Sequence, residues 1–374
     1  MEKNIYYTLE HLKKKRVYID VFYYKTALSG LKTYIEELVN AIQNHGSDEF
    51  EYILSHDIHK LINNEFFINS KFRLVRWFFQ FRYFFWKQII LPFKLLIFKV
   101  DIVICPDYVA PMLTFSKKIV VIHDNLIWKY PRNYSFFWRK YYTKLISFGI
   151  NTKTKIITTS NYSKEGLQLI FPNNQIFPIY QSSETLSNSD SNENGKKYIL
   201  HVGTFEKRKD LLTLIKAFKK LKDELKVDYK LVLAGSTYIN GDNDVFLKIQ
   251  KYLFENNLFN SVLMPGYIDK SKAIYFFSNA LMYVFPSIDE GFGIPLIEAL
   301  KLKVPVICSD IPIFKEIAND SVIYFEKQNE IHLFEKMKEL IQSKNLSKKL
   351  IIKGAERVKK FNRRNFIKDF EKTY

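Results

Sequence analysis

The stretch "LMYVFPSIDEGFGIPLIEALKLKVPVICSD" (residues 281–310) reads as a strand, a glycine-containing loop, a helix and a second strand. Residues 281–287 and 304–310 are apolar, β-branched runs, the pattern of strands buried on both faces. The helix is expected from about Pro295, because a first turn tolerates proline best. A helix that links two such strands makes them parallel neighbours. The glycines at 291 and 293 allow positive φ and close approach of the backbone to a ligand. Glu290 stands at the end of the strand, and Glu298 is expected in the first helical turn. N–H groups at a helix start favour an anion, and carboxylates accept hydrogen bonds from hydroxyls. A ligand with both a diphosphate and hydroxyl-rich rings satisfies the set. Taken alone, the two acids are more simply a helix-dipole acid and a loop acid. Two glycines complete neither a dinucleotide fingerprint nor a P-loop.

The alternation extends in both directions. Downstream, residues 321–325 form a short strand, 330–343 a helix and 346–374 a basic helical tail. Upstream, strands at 197–203, 229–235 and 261–266 alternate with helices at 210–222, 244–257 and 270–280. Residues 181–197 are polar and without periodicity, and read as a linker. Before it, strands are expected at 16–24, 50–55, 100–106, 118–124 and 155–160. Helices fall at 31–42, within the aromatic-rich span 61–100, at 135–150 and from Ser163. The fold class is therefore α/β, with two Rossmann-like parallel-sheet domains facing a cleft. The expected boundaries are 1–183 for the first domain, 184–197 for the linker and 198–356 for the second domain. Residues 357–374 form a helix expected to return to the first domain.

Composition limits the function classes. The formal net charge is +18, which favours an anionic partner: nucleic acid, a phosphorylated small molecule or an anionic membrane face. The cations are dispersed rather than gathered in one stripe, and no nucleic-acid motif is present. The two cysteines, Cys105 and Cys308, lie far apart in apolar runs and offer neither a disulfide framework nor a zinc site. The first fifteen residues lack an apolar core and a cleavage site, so a cytoplasmic location is expected. Residues 76–99 mix Arg and Lys with Phe, Trp and Leu. They read equally as a helix with core aromatics or as a peripheral contact with the cytoplasmic face of the inner membrane.

A second motif shares the sheet edge. In "VGTFEKRKDLLTLIKAF" a strand ends at Gly203, a loop carries Lys207, Arg208 and Lys209, and Asp210 can cap the following helix. Cations at the C-terminal edge of a parallel sheet suit a diphosphate. With the loop at 285–312, this half resembles the family 4 glycosyltransferases, retaining enzymes of the GT-B fold that use sugar nucleotides. "SGLKTYIEEL", "LPFKLLIFKVDIVICPDYVAP", "VVIHDNLIWKYP" and "TTSNYSKEGL" extend the resemblance more weakly over roughly residues 16–374.

The resemblance implies roles. Glu298 would bind the nucleotide ribose hydroxyls, and Glu290 would face the donor sugar. Arg208 and Lys209 would neutralise the diphosphate. Backbone amides of Gly291, Phe292, Gly293, Ile294, Pro295 and Leu296 surround the sugar and phosphate positions. Gly266 and Tyr267 would border the base. His123 and Asp124 match a strand-end pair, the histidine facing the donor sugar. Gly30 matches a glycine turn near the diphosphate, although Lys32 replaces the second glycine of many members. Gly203 and Thr204 join the donor set, Thr204 standing where some members carry another arginine.

The implied reaction moves a hexose, such as mannose, from a GDP- or UDP-sugar to a hydroxyl of a glycan acceptor. A lipid-linked acceptor in bacterial O-antigen or capsule synthesis fits family habit. No metal and no other cofactor is expected. The alternatives are a non-catalytic GT-B subunit and a basic nucleic-acid-binding protein.

Overall fold

The computed structural model describes residues 14–27, 29–58, 60, 73–183, 198–226, 228–237 and 243–374. The linker span 184–197 lies outside the described residues, as does the part of the aromatic-rich span between 61 and 72.

The first sheet is built from β1 (Lys15–Ile19), β2 (Phe50–Leu54), β3 (Ile102–Cys105), β4 (Lys117–Val121), β5 (Lys155–Thr158) and β6 (Ile176–Pro178). Its order is β2-β1-β3-β4-β5-β6, and every described pairing is parallel. Among the described residues six α-helices accompany it: α1 (Ser29–His45), α2 (Arg73–Phe85), α3 (Leu91–Ile97), α4 (Leu126–Lys129), α5 (Phe136–Gly149) and α6 (Asn161–Ile170). Val17, Ile19, Ile102 and Ile104 point to one face and pack on α1. Tyr18, Val103, Cys105 and Val120 point to the other and pack on α2, α3 and α5. Continuous apolar runs are what two covered faces require.

The second sheet holds β7 (Tyr198–Val202), β8 (Lys230–Ala234), β9 (Val262–Gly266), β10 (Met282–Phe285), β11 (Val306–Ser309) and β12 (Ile323–Phe325), in the order β12-β11-β10-β7-β8-β9. Its helices are α7 (Leu211–Leu225), α8 (Asp244–Glu255), α9 (Lys270–Ser278), α10 (Ile294–Lys301), α11 (Pro312–Ala318), α12 (Glu330–Gln342) and α13 (Lys344–Arg357). The last helix, α14 (Arg363–Glu371), leaves this domain. Its Phe366, Ile367 and Phe370 are buried with Tyr34, Ile35 and Leu38 of α1. Arg363 pairs with the fully buried Glu37 of α1 at 3.0 Å.

Four elements differ from the sequence reading. The first strand stops at Ile19 rather than running to 24. The side chain of buried Asp20 accepts the Phe22 N–H at 3.2 Å, and a 3-10 turn, Phe22–Lys25, follows. A short aspartate competing for backbone N–H groups ends a strand in this way. β6 is an edge strand missing from the reading; its Pro178 is tolerated because an edge needs fewer ladder donors. α11 is also unforeseen, a short helix started by Pro312. α4, a single turn at Leu126–Lys129, is likewise absent from the reading.

Candidate active site

β7 and β10 are neighbours in the second sheet, so their C-terminal loops meet at one edge. The backbone joins them directly, with Ile288 N–H donating to the Arg208 carbonyl at 2.7 Å. Glu290 is buried between the two loops. Lys209 Nζ lies 2.5 Å from Glu290 Oε1, and Arg208 Nη1 lies 2.7 Å from Oε2. Ser287 Oγ donates to Oε1 at 2.8 Å. These partners hold the Glu290 carboxyl down at about 2 in spite of its burial. Burial lowers the Lys209 ammonium while Glu290 opposes it. Arg208 Nε also meets Glu206 at 2.8 Å, and Glu206 accepts from Thr204 Oγ1 at 2.6 Å.

Arg208 and Lys209 stand at the expected edge, and in the ligand-free structure each is paired with Glu290. Lys207 points away, exposed and 3.9 Å from Asp244. Asp210 takes the N-cap position of α7 with φ of 48° but makes no side-chain capping bond.

Gly293 is the N-cap of α10, with φ of 96°, a conformation glycine adopts without strain. Pro295 sits within the first turn. Glu298 is the fifth residue of α10, at the start of the second turn rather than in the first. Burial pushes its carboxyl up to about 7, with Lys270 and Lys301 pulling the other way and Glu37 adding to the rise. Phe292 and Leu296 are buried in the core under the loop. Gly266, with φ of 75°, reaches the site through Gly235, whose N–H donates to its carbonyl at 2.8 Å. Gly235 in turn backs onto Gly203. Tyr267 is largely exposed beside them.

The first domain brings His123 and Asp124 from the end of β4 to the opposite wall. His123 Nε2 lies 2.8 Å from the Pro106 carbonyl. A carbonyl only accepts, so Nε2 carries the proton and Nδ1 is left as an acceptor. Burial lowers the imidazole to about 4, which keeps it neutral. Tyr34 packs edge-on against the ring at 4.6 Å. Gly30 lies one turn earlier in the same helix; it is inside α1 rather than in a turn before it, with open space around it. Asp124 Oδ1 accepts the Leu126 N–H at 3.0 Å, and burial raises its carboxyl to about 6, with Arg208 opposing.

The two walls touch. A Cβ on Gly291 would stand 2.8 Å from Asp124 Cβ and 3.1 Å from the His123 carbonyl. The Gly291 carbonyl accepts from Ser160 Oγ at 2.9 Å. The adjacent Asp289, buried in the second domain, is gripped by three donors of the first. These are Lys129 Nζ at 2.5 Å and the hydroxyls of Tyr130 and Tyr162, each at 2.9 Å. Glu316 of α11 accepts the N–H groups of Asn161 and Tyr162 at 2.6 and 2.9 Å, a carboxylate at the start of α6. The sequence reading missed this clasp. Its one visible signal is a third acid, Asp289, next to Glu290.

Known proteins share parts of this chain's sequence and its fold. Residues 182–357 match the family model described as glycosyl transferases group 1. The chain is 28% identical over 227 residues to the O-antigen chain mannosyltransferase RfbU of Salmonella typhimurium, covering 60% of each. It is 25% identical over 229 residues to an O-antigen chain mannosyltransferase B of Escherichia coli, covering 58% of each. The alignments thus span about 60% of the length of these relatives. Among solved structures, Anabaena Alr3699/HepE in complex with UDP and glucose superposes with a TM-score of 0.69 at 13% identity, covering 96% of this chain and 99% of that one. WaaG, a glycosyltransferase of lipopolysaccharide biosynthesis, gives 0.62 at 15% identity over 96% and 99%. The fold is GT-B.

Proposed function

We propose that this chain is a retaining glycosyltransferase that moves a hexose, mannose-like in the first instance, from a GDP- or UDP-sugar to a hydroxyl of a glycan acceptor. The carrying observation is the Glu290–Arg208–Lys209 cluster at the start of α10, set against His123 and Asp124 across the cleft. A diphosphate at this edge competes with Glu206 and Glu290 for Arg208. Together with the N–H groups of α10, Arg208 and Lys209 then stabilise the charge that develops as the bond from C1 to the diphosphate breaks. The acceptor oxygen bonds C1 on the same face, and its proton leaves on the departing phosphate oxygen. Glu298 accepts from the ribose hydroxyls. His123 Nδ1 accepts from a hydroxyl of the donor sugar, and Glu290 is held too firmly as an anion partner to serve as a glycosidase-type nucleophile. The matched mannosyltransferases support the hexose and an O-antigen setting, and a similar capsular polysaccharide glycosyltransferase supports a capsule setting, with an acceptor carried on a lipid at the cytoplasmic face of the inner membrane.

The cations do the work that a divalent metal does elsewhere, so transfer proceeds in EDTA; loss of activity rescued by Mg²⁺ or Mn²⁺ would refute that. The test of the site is calorimetry on Arg208→Ala and Glu298→Ala, after a thermal-shift panel of sugar nucleotides has identified the donor. Unchanged nucleotide affinity in both variants removes the assignment. Failure of the purified protein to turn over any sugar nucleotide that it binds favours a non-catalytic subunit.

A further inference from the structure

We propose that the α2–α3 helix is an anchor for an anionic bilayer surface, with α5 as its second support. α2 and α3 form one continuous helix through a π-helical turn, Trp86–Ile90. Trp77, Phe81, Phe85, Ile89, Phe93 and Ile97 recur every fourth position along it and are 42–74% exposed. In a plain α-helix that spacing drifts by about 40° per step. The wider π turn takes back part of the drift and keeps the stripe on one side. The opposite side is anchored: Tyr83, Leu91 and Leu95 are buried against the first sheet. No helix among the described residues is long and apolar enough to cross a membrane.

A monomer rarely exposes an apolar surface of this extent without using it. Charge selects the occupant. No Asp or Glu occurs from residue 66 to 100 or from 125 to 164. Arg82, Lys94 and Lys99 flank the stripe and make no ion pair among the described residues. α5 packs through Leu145 and Ile146 on the same sheet face, and its outer side presents Phe137, Lys140, Lys144 and Phe148. The loop carrying exposed Leu113 and Phe115 is tied to the π turn, where Gln88 accepts the Met112 N–H at 2.9 Å. Protruding rings ringed by cations, with acids excluded, suit anionic headgroups over acyl chains.

The anchor is rigidly joined to the reacting edge. Lys87 of the π turn points inward, fully buried, and meets Asp20 at 2.7 Å and Asp107 at 2.6 Å. Pro106, beside Asp107, holds His123. A lipid-borne acceptor is thereby presented to the cleft, and this purpose alone rests on the proposed function.

The experiment is co-sedimentation of the full chain with phosphatidylcholine vesicles, with and without phosphatidylglycerol. Wild type is expected to pellet with the anionic vesicles only. Trp77→Ser/Phe81→Ser/Phe93→Ser should lower the bound-to-free ratio by at least about tenfold, with an unchanged circular dichroism spectrum and nucleotide thermal shift. Lys140→Glu/Lys144→Glu should weaken binding in the same direction. Wild type that stays in the supernatant, that binds neutral vesicles equally, or that binds only duplex nucleic acid overturns the proposal. So does a triple variant that binds like wild type. If vesicles bind but no sugar nucleotide does, the anchor stands and the transferase reading falls.

Discussion

At the scale of single residues, Glu298 and Glu290 are opposites. Glu298 is a partly buried carboxyl raised by desolvation from 4.5 to about 7. The folded protein therefore holds that proton more tightly than the unfolded chain, and stability declines as pH rises from 4.5 through about 7. Glu298→Gln should stabilise the ligand-free protein above about pH 7 by roughly 1–3 kcal/mol while weakening nucleotide binding; denaturation and calorimetry on either side of that pH check both. In the wild type, nucleotide affinity should fall as the carboxylate is protonated below about pH 7. Glu290 is lowered to about 2 and contributes stability that persists above 4.5 and is lost as pH falls toward 2. Glu290→Gln leaves Lys209 buried without its anion and should cost about 3–5 kcal/mol in a denaturant titration, with transfer lost as well. Both glutamates are legible in the sequence as chemistry-bearing residues. Their opposite states are not: Glu290 is held down by Arg208 and Lys209, some 80 positions upstream and brought in by a neighbouring strand, while Glu298 is raised by the desolvation its place in the fold imposes.

At the scale of elements, the loop from Ser287 to Gly293 sets the distance between the walls. Gly291→Ala would place its Cβ 2.8 Å from Asp124, against a side chain held by the backbone of α4. It should lower kcat/KM by about a hundredfold or more while the isolated second domain's core stays intact, visible as an unchanged thermal shift by nucleotide. Strands and long helices are legible from apolar runs and periodicity. The exceptions have physical causes: Asp20 ends β1 with its own side chain, and β6 and α11 are too short to show a period. The clasp is illegible for a different reason. Lys129 and Asp289 lie 160 positions apart, and each alone is an ordinary polar residue. Only the approach of the two domains makes them a set.

At the scale of the molecule, that clasp ties the two domains together. Asp289→Asn removes the charge that Lys129 faces at 2.5 Å and leaves one acceptor oxygen where Tyr130 and Tyr162 now use one each. The expected outcome is a larger radius of gyration by solution scattering and a raised KM for the donor with a smaller change in kcat. An unaltered scattering profile and KM would show that the clasp contributes nothing to closure. The two sheets and their cleft follow from the repeated β-α alternation, whereas the seating of the last helix depends on where the chain crosses. That crossing has a consequence for biogenesis. The core of the first domain includes Phe366, Ile367 and Phe370, which a ribosome supplies only after the whole second domain. At about 5–20 residues per second, the interval between Pro178 and Phe366 lasts roughly ten to forty seconds. Throughout that interval the nascent first domain carries an open apolar seam on α1, shaped for the tail of its own chain. On a crowded polysome the tail of a neighbouring copy fits it equally well, so domain-swapped dimers are the misassembly to look for when the protein is overproduced.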